Sequence, residues 1–245
     1  GHPCEFLYLK EENNFVLPLQ ELLLRITEET SLVFLCNPGN PTGTVTGKAE
    51  LVRLAERCEE TKTFLCVDEC FLPFLPGEPA LSMKGETVRF PHLAVLRAFT
   101  KVYGMPGLRL GYLMTGNREL AGRLKEKLPP WNVSLPAQLA GAAALKAEGY
   151  LEKTRELIRG EKEKLVSLLL ETVADRVYPG SANFLLFHGR EGLKEALLDR
   201  KILIRDCSNF KGLSRGYYRI CIRTQEENER LKEILYSLAG KEAGK

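Results

Sequence analysis

The chain has 245 residues, 44% hydrophobic and 27% charged, which suits a globular protein of one large or two smaller domains. Its 35 basic and 32 acidic residues leave a net charge of +3, so we expect no nucleic-acid partner. We find no apolar run long enough to span a bilayer and no signal peptide, so we expect no membrane partner. Seven scattered cysteines without a C-x-x-C pair predict free thiols, no metal site and a cytoplasmic location.

Short apolar runs alternate with a helical pattern in the first part of the chain. The runs at 32–36 (LVFLC), 64–68 (FLCVD) and 93–99 (LAVLRAF) are typical of strands buried on both faces of a parallel sheet. A helix is predicted over 47–60, with one apolar stripe formed by Leu51, Leu54, Ala55 and Cys58. The order strand, helix, strand predicts an α/β domain, which we place at 1–150.

From about residue 149 the pattern changes to that of a small α+β domain, which we place at 151–245. The predicted elements are a long amphipathic helix, the strand ANFLLFH, the helix EGLKEALLDR, the strands ILIRD and YYRICIR, and a last helix. Thr224 and Glu227 are spaced as a capping box at the start of that last helix.

Polar side chains follow each of the first three predicted strands. Asn40 and Thr42 follow the first strand in NPGNPTG, Asp68 ends the second, and Thr100 and Lys101 follow the third. Ligands of open α/β sheets bind outside the carboxyl ends of the strands, which favours a site at this edge. Ordinary turn and capping chemistry explains the same residues equally well at this point.

The segment AVLRAFTKVYGMPGLRLGYLMTG (94–116) sets Lys101 among glycines, where a hydrated cation is a poor structural choice. NPGNPTG, VDE, and TK followed by GLRLGY, in this order, resemble the fold-type I pyridoxal-phosphate enzymes, in the histidinol-phosphate aminotransferase branch. PPWNVSLPAQLA, ILIRDCSNFKGL and YYRICIRT resemble the threonine-phosphate decarboxylases of cobalamin biosynthesis more closely. The likeness runs from residue 1 to about 240.

The resemblance implies a fold and a cofactor site. The fold would be a large α/β domain with a mostly parallel sheet flanked by helices, plus a small C-terminal α+β domain. The cofactor would be pyridoxal 5'-phosphate, bound covalently by Lys101, with Asp68 paired to its pyridine nitrogen. Asn40 would contact the ring hydroxyl oxygen, and Thr100 and Arg109 would hold the phosphate. Lys101 and Asp68 would be the catalytic residues.

The resemblance also implies a phosphorylated amino acid as substrate and a homodimer in the full-length protein. Arg219 would bind the α-carboxylate and Arg205 the phosphate, since a guanidinium fork suits both groups. Arg223 is equally compatible with assisting Arg219 on the same strand face and with a surface ion pair. Phe71 stands where aminotransferases of this branch usually carry Tyr, as it does in the decarboxylases, but one position does not settle the reaction.

The implied reaction is decarboxylation of O-phospho-L-threonine to (R)-1-amino-2-propanol O-2-phosphate. An aminotransferase such as histidinol-phosphate aminotransferase is the alternative enzyme, and an inactive shortened chain is the alternative without activity. Relatives would begin earlier than residue 1. We therefore expect that an N-terminal arm, the first strand and part of the phosphate cup lie outside this sequence.

Overall fold

The structure, a computed structural model, describes residues 3–241. Its contacts divide the chain into two compact units. The first unit comprises Leu17–Gly39 and Val45–Glu152, and the second comprises Gly1–Val16, Asn40–Thr44 and Lys153–Lys245. The second unit therefore contains two stretches that the sequence placed in the domain at 1–150, and the division into functional domains at 1–150 and 151–245 stays a prediction.

The first unit is built on one four-stranded sheet in the order β1-β2-β3-β4, in which β1, β2 and β3 are parallel and β4 is antiparallel to β3. Its strands are β1 (Leu32–Cys36), β2 (Phe64–Asp68), β3 (Leu93–Ala98) and β4 (Gly111–Thr115). Its helices are α1 (Leu19–Arg25), α2 (Lys48–Glu60), α3 (Glu78–Leu81), α4 (Phe99–Val102), α5 (Arg118–Lys127) and α6 (Leu135–Ala144). The predicted α/β class with a mostly parallel sheet is confirmed.

The core of the first unit lies between α2 and one face of the sheet. The predicted stripe of α2 is buried there, with Leu51 and Leu54 at 0% exposure. The prediction that all three strands are buried on both faces is wrong for β1, because Leu32 and Phe34 are each 56% exposed. β1 is the edge strand of this sheet, and only its other face, with Val33 and Leu35, packs on the core.

The second unit has a four-stranded antiparallel sheet in the order β5-β6-β8-β7. Its strands are β5 (Ala174–Val177), β6 (Phe184–Gly189), β7 (Arg205–Asp206) and β8 (Tyr217–Cys221). Its helices are α7 (Tyr150–Thr172, from Lys153 onward part of this unit), α8 (Leu193–Leu198) and α9 (Gln225–Leu238). Within residues 3–241, we find no helix with both the length and the apolar composition needed to cross a membrane.

Three details of the second unit bear on the sequence predictions. The capping box of α9 is confirmed, since the Thr224 hydroxyl accepts from the Glu227 N–H and the Glu227 carboxylate accepts from the Thr224 N–H. The strand predicted over 202–206 is reduced to two residues, because Leu203 is 77% exposed and pairing with β8 starts only at Arg205. β8 ends at Cys221, so Arg223 lies outside the strand.

The N-terminal segment packs on the second sheet, which explains why it belongs to the second unit. The Glu11 carboxylate accepts hydrogen bonds from the hydroxyls of Tyr178 and Tyr217, both at 2.5 Å, and from Arg176 at 3.3 Å. Phe15 is 3% exposed and meets the Tyr178 ring edge-on, with centroids 5.0 Å apart. The hydrogen bonds from Tyr178 and Tyr217 lower the pKa of Glu11, which therefore stays ionised.

Candidate active site

Asp68 stands at the centre of the edge where the parallel strands of the first sheet end. Its backbone is in register with Cys36 of β1 on one side and with Leu96 of β3 on the other. The side chain is half-buried, and its Oδ1 accepts from the Cys70 N–H at 2.9 Å. Asp68 is therefore held in a fixed orientation where open α/β sheets bind their ligands.

Two thiols complete the surroundings of Asp68. The Cys36 Sγ lies 3.9 Å from Asp68 Oδ2, and the Cys70 thiol also bonds to the same carboxylate. Burial, followed by the charge of Asp68, raises the pKa of Cys36 to about 11, and burial with the Asp68 hydrogen bond raises that of Cys70 to about 12. Both thiols are thus neutral near pH 7. Since S–H is a weak donor, the carboxylate retains capacity for a stronger N–H donor.

Lys101 lies on α4, one turn beyond the end of β3. Its side chain is exposed, and the amine makes no hydrogen bond or ion pair with any residue between 3 and 241. The charge of Lys101 lowers the pKa of Cys70, whose thiol and N–H both bond to Asp68. The Lys101 amine is therefore near enough to Cys70, the residue that bonds to Asp68, for its charge to act on that thiol.

Thr100 and Arg109 lie on the two chain segments that meet at the start of α4. The Phe99 N–H donates to the Leu110 carbonyl at 3.0 Å, so the neighbours Thr100 and Arg109 flank one hydrogen bond. Arg109 adopts a left-handed backbone with φ of 54°, and its Nη1 donates to the Pro106 carbonyl at 2.8 Å. The side chain is exposed and keeps further donors for an anion.

Asn40, Arg205 and Arg219 meet in the second unit. Arg205 of β7 and Arg219 of β8 are direct partners across the antiparallel pair, so both side chains stand on one face of the sheet. The Arg219 Nη1 donates to Asn40 Oδ1 at 2.5 Å, and the guanidinium lies 4.9 Å from the centre of the Phe184 ring. The sequence analysis assigned Asn40 to the cofactor and Arg219 to the substrate, and in the structure these two side chains are hydrogen-bonded to each other.

The two arginines form a site of positive charge. Like charges directly opposite on neighbouring strands are unfavourable, so this arrangement favours a bound anion. Burial raises the pKa of Cys207 to about 11, while the charges of Arg219 and Arg205 act in the opposite sense. Arg205 donates to Asn209 Oδ1 at 2.9 Å.

Arg223 belongs to a different environment. Its Nη2 and Nε donate to Glu227 Oε1 at 2.5 Å and 3.0 Å, one turn apart at the start of α9. Of the two readings left open by the sequence, this geometry is that of the surface ion pair. Arg223 therefore serves as a natural control for Arg205 and Arg219.

The side chains near the predicted site that the sequence did not identify are the thiols around Asp68 and an ion cluster formed by Glu69, Glu78 and Arg97. The Arg97 Nη2 lies 2.7 Å from Glu69 Oε2 and also contacts Glu78. A signal was available, since a charged residue inside the apolar run LAVLRAF requires a buried partner.

The chain matches the family model of aminotransferase class I and II over residues 2–235. The chain belongs to the class I and II aminotransferase family. Threonine-phosphate decarboxylase of Salmonella typhimurium is 39% identical over 221 residues, which cover 87% of this chain and 59% of that protein. Histidinol-phosphate aminotransferase of Methanococcus maripaludis is 31% identical over 240 residues, covering 96% of this chain and 63% of that protein.

The crystal structure of the histidinol-phosphate aminotransferase from Clostridium acetobutylicum matches with a TM-score of 0.88 at 31% identity, covering 95% of this chain and 70% of that chain. The predicted family and fold are thus confirmed. This class I and II aminotransferase chain spans about 60% of the length of the curated relatives that it matches.

The residues of the first unit fit the cofactor that this family implies. Pyridoxal phosphate requires a free amine, an acceptor for its ring N–H and donors for its phosphate. Lys101 supplies an amine without a partner in the described chain, and Asp68 supplies a carboxylate whose Oδ2 has weak thiol donors. Thr100 and Arg109 supply a hydroxyl and a guanidinium at the neighbouring turn. The donor set therefore agrees with the chemistry of the group.

Proposed function

We propose that this protein is a pyridoxal-phosphate lyase that decarboxylates O-phospho-L-threonine to (R)-1-amino-2-propanol O-2-phosphate, a precursor in cobalamin biosynthesis. The 39% identity to the threonine-phosphate decarboxylase of Salmonella typhimurium supports this substrate. The proposal includes a cytoplasmic location and a homodimer, which stay predictions.

The single observation that carries the proposal is the pair Arg205 and Arg219 on one sheet face. O-phospho-L-threonine has two anionic groups, a carboxylate and a phosphate, and each matches the planar fork of a guanidinium. Histidinol phosphate has one phosphate and no carboxylate. A receptor with two arginines therefore suits a doubly anionic amino acid, and the identity to the threonine-phosphate decarboxylase favours O-phospho-L-threonine as that amino acid.

Each residue of the first unit then has a definite task. Bound pyridoxal phosphate acts as an electron sink for the charge left when a bond to Cα breaks. Lys101 would hold the cofactor through its Nζ, and when this amine is free and protonated it could deliver a proton to Cα. Asp68 would accept the hydrogen bond of the ring N–H and keep that nitrogen protonated. Thr100 and Arg109 bind the cofactor phosphate.

The residues of the second unit orient the substrate. Arg219 is proposed to bind the α-carboxylate and Arg205 the phosphate, and holding both anionic groups would orient the substrate so that the Cα–carboxylate bond is the one cleaved. Asn40 keeps its Nδ2 free of hydrogen bonds within residues 3–241 while its Oδ1 accepts from Arg219. That free N–H suits the ring hydroxyl oxygen of the cofactor.

The second candidate is an aminotransferase, and one observation favours it. The Methanococcus maripaludis histidinol-phosphate aminotransferase is 31% identical over 96% of this chain. An aminotransferase needs the same lysine, aspartate and arginines, so the residues described above do not separate the two reactions. Only the fate of the α-carboxylate separates them.

The first experiment tests the cofactor. Purified protein is mixed with pyridoxal phosphate, reduced with borohydride, digested and analysed by peptide mass spectrometry. We expect the added mass on Lys101 in the wild type, its loss in Lys101→Ala, and its retention in Lys125→Ala, a matched exposed lysine on α5. A chain with no label on Lys101 would be the inactive form that the sequence left as an alternative.

The second experiment tests the reaction. The loaded protein is given O-phospho-L-threonine without any 2-oxo acid, and carbon dioxide is measured. Release of carbon dioxide supports the lyase, whereas amino transfer from glutamate without carbon dioxide refutes it. Arg205→Met and Arg219→Met should each abolish most of the release, while Arg223→Met, which removes the ion pair with Glu227, should leave it unchanged.

A further inference from the structure

A cluster of ionisable side chains lies inside the first unit, beside the ends of β2 and β3. Arg97 of β3 contacts Glu69, which follows β2 directly, and Glu78, which begins α3. The side chains of Arg97, Glu69 and Glu78 are 9%, 0% and 11% exposed. Charged residues are rarely this buried, because removing a charge from water is unfavourable for folding. The desolvation of this cluster must therefore be offset by favourable interactions or be retained for a function.

Glu69 is the most constrained member of this cluster. Its Oε2 accepts from Arg97 Nε at 3.1 Å, from Arg97 Nη2 at 2.7 Å and from Ser82 Oγ at 2.8 Å. Its Oε1 accepts from the Met83 N–H at 2.7 Å. A carboxylate has about four acceptor positions, so this one is saturated. Glu69 can rotate only by breaking bonds to three residues.

The cluster lies close in the chain to Asp68 and Lys101, the predicted catalytic pair. Glu69 follows Asp68 in the chain, and its N–H donates to the Leu96 carbonyl at 2.9 Å. Arg97 comes next after Leu96 and four residues before Lys101. Between them Phe99 is buried at 9% exposure, which fixes the start of α4. Glu69 and Arg97 are thus linked by short chain segments to Asp68 and Lys101, respectively.

We propose that Arg97 is a positioning residue that acts through Glu69 to fix the separation of Asp68 and Lys101. Stability alone does not require the cluster, because apolar residues of similar volume often stabilise a core as well as a buried ion pair does. A planar guanidinium with directed donors, in contrast, defines one geometry, which a lysine ammonium cannot do. The roles of Asp68 and Lys101 rest on the proposed function, whereas the coupling of their positions does not.

Cys70 provides a native probe of this coupling that needs no cofactor. Its N–H donates to Asp68 Oδ1 at 2.9 Å, and burial together with Asp68 keeps its thiol protonated. Cys58 on α2 is the internal reference, because burial raises its pKa to about 12 as well and it is 1% exposed. The measured quantity is the rate of iodoacetamide alkylation at Cys70 divided by the rate at Cys58, read from peptide mass spectra.

The test variant is Arg97→Lys, which keeps the charge and removes the fork. We expect the Cys70 to Cys58 ratio to rise about tenfold, as for one unit of thiol pKa, because a looser turn after β2 weakens the bonding of Cys70 to Asp68. The control is Arg89→Lys, which alters an exposed pair with Glu56 at 2.8 Å and should leave the ratio unchanged. In protein loaded with pyridoxal phosphate, the pH dependence of the visible absorption band should shift in Arg97→Lys and not in Arg89→Lys.

Two results would overturn the proposal. One is an unchanged ratio of alkylation rates in folded Arg97→Lys. The other is an equal increase of the alkylation rate at Cys70 and Cys58, which would mean that Arg97 only stabilises the fold. If Arg97→Lys does not fold, Ser82→Ala removes a single donor to Glu69, and we expect a rise of roughly threefold, or half a pKa unit. A wild-type protein that takes up no pyridoxal phosphate would refute the proposed function while the thiol ratio still tests the coupling.

Discussion

The backbone approach between Gly180 and the NPGNPTG loop leads to a sharp prediction for Gly180→Ala. A Cβ at residue 180 would stand 2.5 Å from the Thr42 carbonyl oxygen and 3.1 Å from the Gly43 Cα. Both neighbours are backbone atoms, so neither can rotate away. The loop is also tied here by the Ser181 N–H, which donates to the Gly43 carbonyl at 2.6 Å, and by Lys162, which donates to the Gly180 carbonyl.

The magnitude follows from two opposing effects. Forcing a methyl group into a packed site typically costs about 1–3 kcal/mol. Gly180 does not have a positive φ, so alanine can adopt its backbone and recovers about 0.4–1 kcal/mol through a less disordered unfolded chain. We therefore expect Gly180→Ala to lower the free energy of unfolding by about 1–2 kcal/mol.

The matched control is Gly160→Ala in the middle of α7. This glycine is exposed, and a Cβ there meets no atom within 4 Å. Helix propensity predicts that the change stabilises the protein by about 1 kcal/mol, so the two variants should move in opposite directions. Urea unfolding followed by circular dichroism measures both. A Gly180→Ala protein as stable as the wild type would refute the reasoning from backbone contact.

Three further predictions concern the second unit. Arg205→Lys should raise the dissociation constant for O-phospho-L-threonine about tenfold, or about 1.4 kcal/mol, in isothermal titration, and equal binding would contradict an anion receptor at this arginine. The folded pKa of Glu11 is lowered by Tyr178, so its contribution is present above the unfolded pKa of about 4.3 and is lost as pH falls through the lower folded value. Glu11→Gln should therefore be less stable than wild type at pH 7 and approach it at about pH 3 in urea unfolding. Thr224→Ala should cost about 1 kcal/mol in the same assay by removing the cap of α9, and a loss of only a tenth of that would show that the cap is not used.

Local patterns predicted the elements that position the site because their signals are contained in a few neighbouring residues. The stripe of α2 repeats at helical spacing, and the apolar runs of β2 and β3 end in polar residues at the observed sheet edge. The placement of Asp68 at the end of β2 and of Lys101 one turn after the end of β3, at the same edge, follows from the parallel pairing of these strands. The capping box of α9 is equally local. Each of these features depends on residues within one short segment of the sequence.

Features that depend on distant partners could not be predicted in this way. The exposed face of β1 depends on which segments cover it, and an apolar run looks the same with one face covered or two. The bonds of Glu69 to Arg97 join residues 28 positions apart, and Asn40 and Arg219 are 179 apart. The run at 202–206 is apolar, yet pairing with β8 is available only to its last two residues.

The attachment of Glu11 to the second sheet has a consequence for how the chain folds. The Glu11 to Tyr217 hydrogen bond joins residues 206 positions apart, so two distant segments of the sequence must meet before this contact forms. Loop closure over such a span is slow, and contacts of this kind delay folding. During synthesis the ribosome must release most of the chain before Tyr217 emerges. The first unit is consequently expected to form while translation continues, and the second to assemble last, with Phe15 uncovered until then.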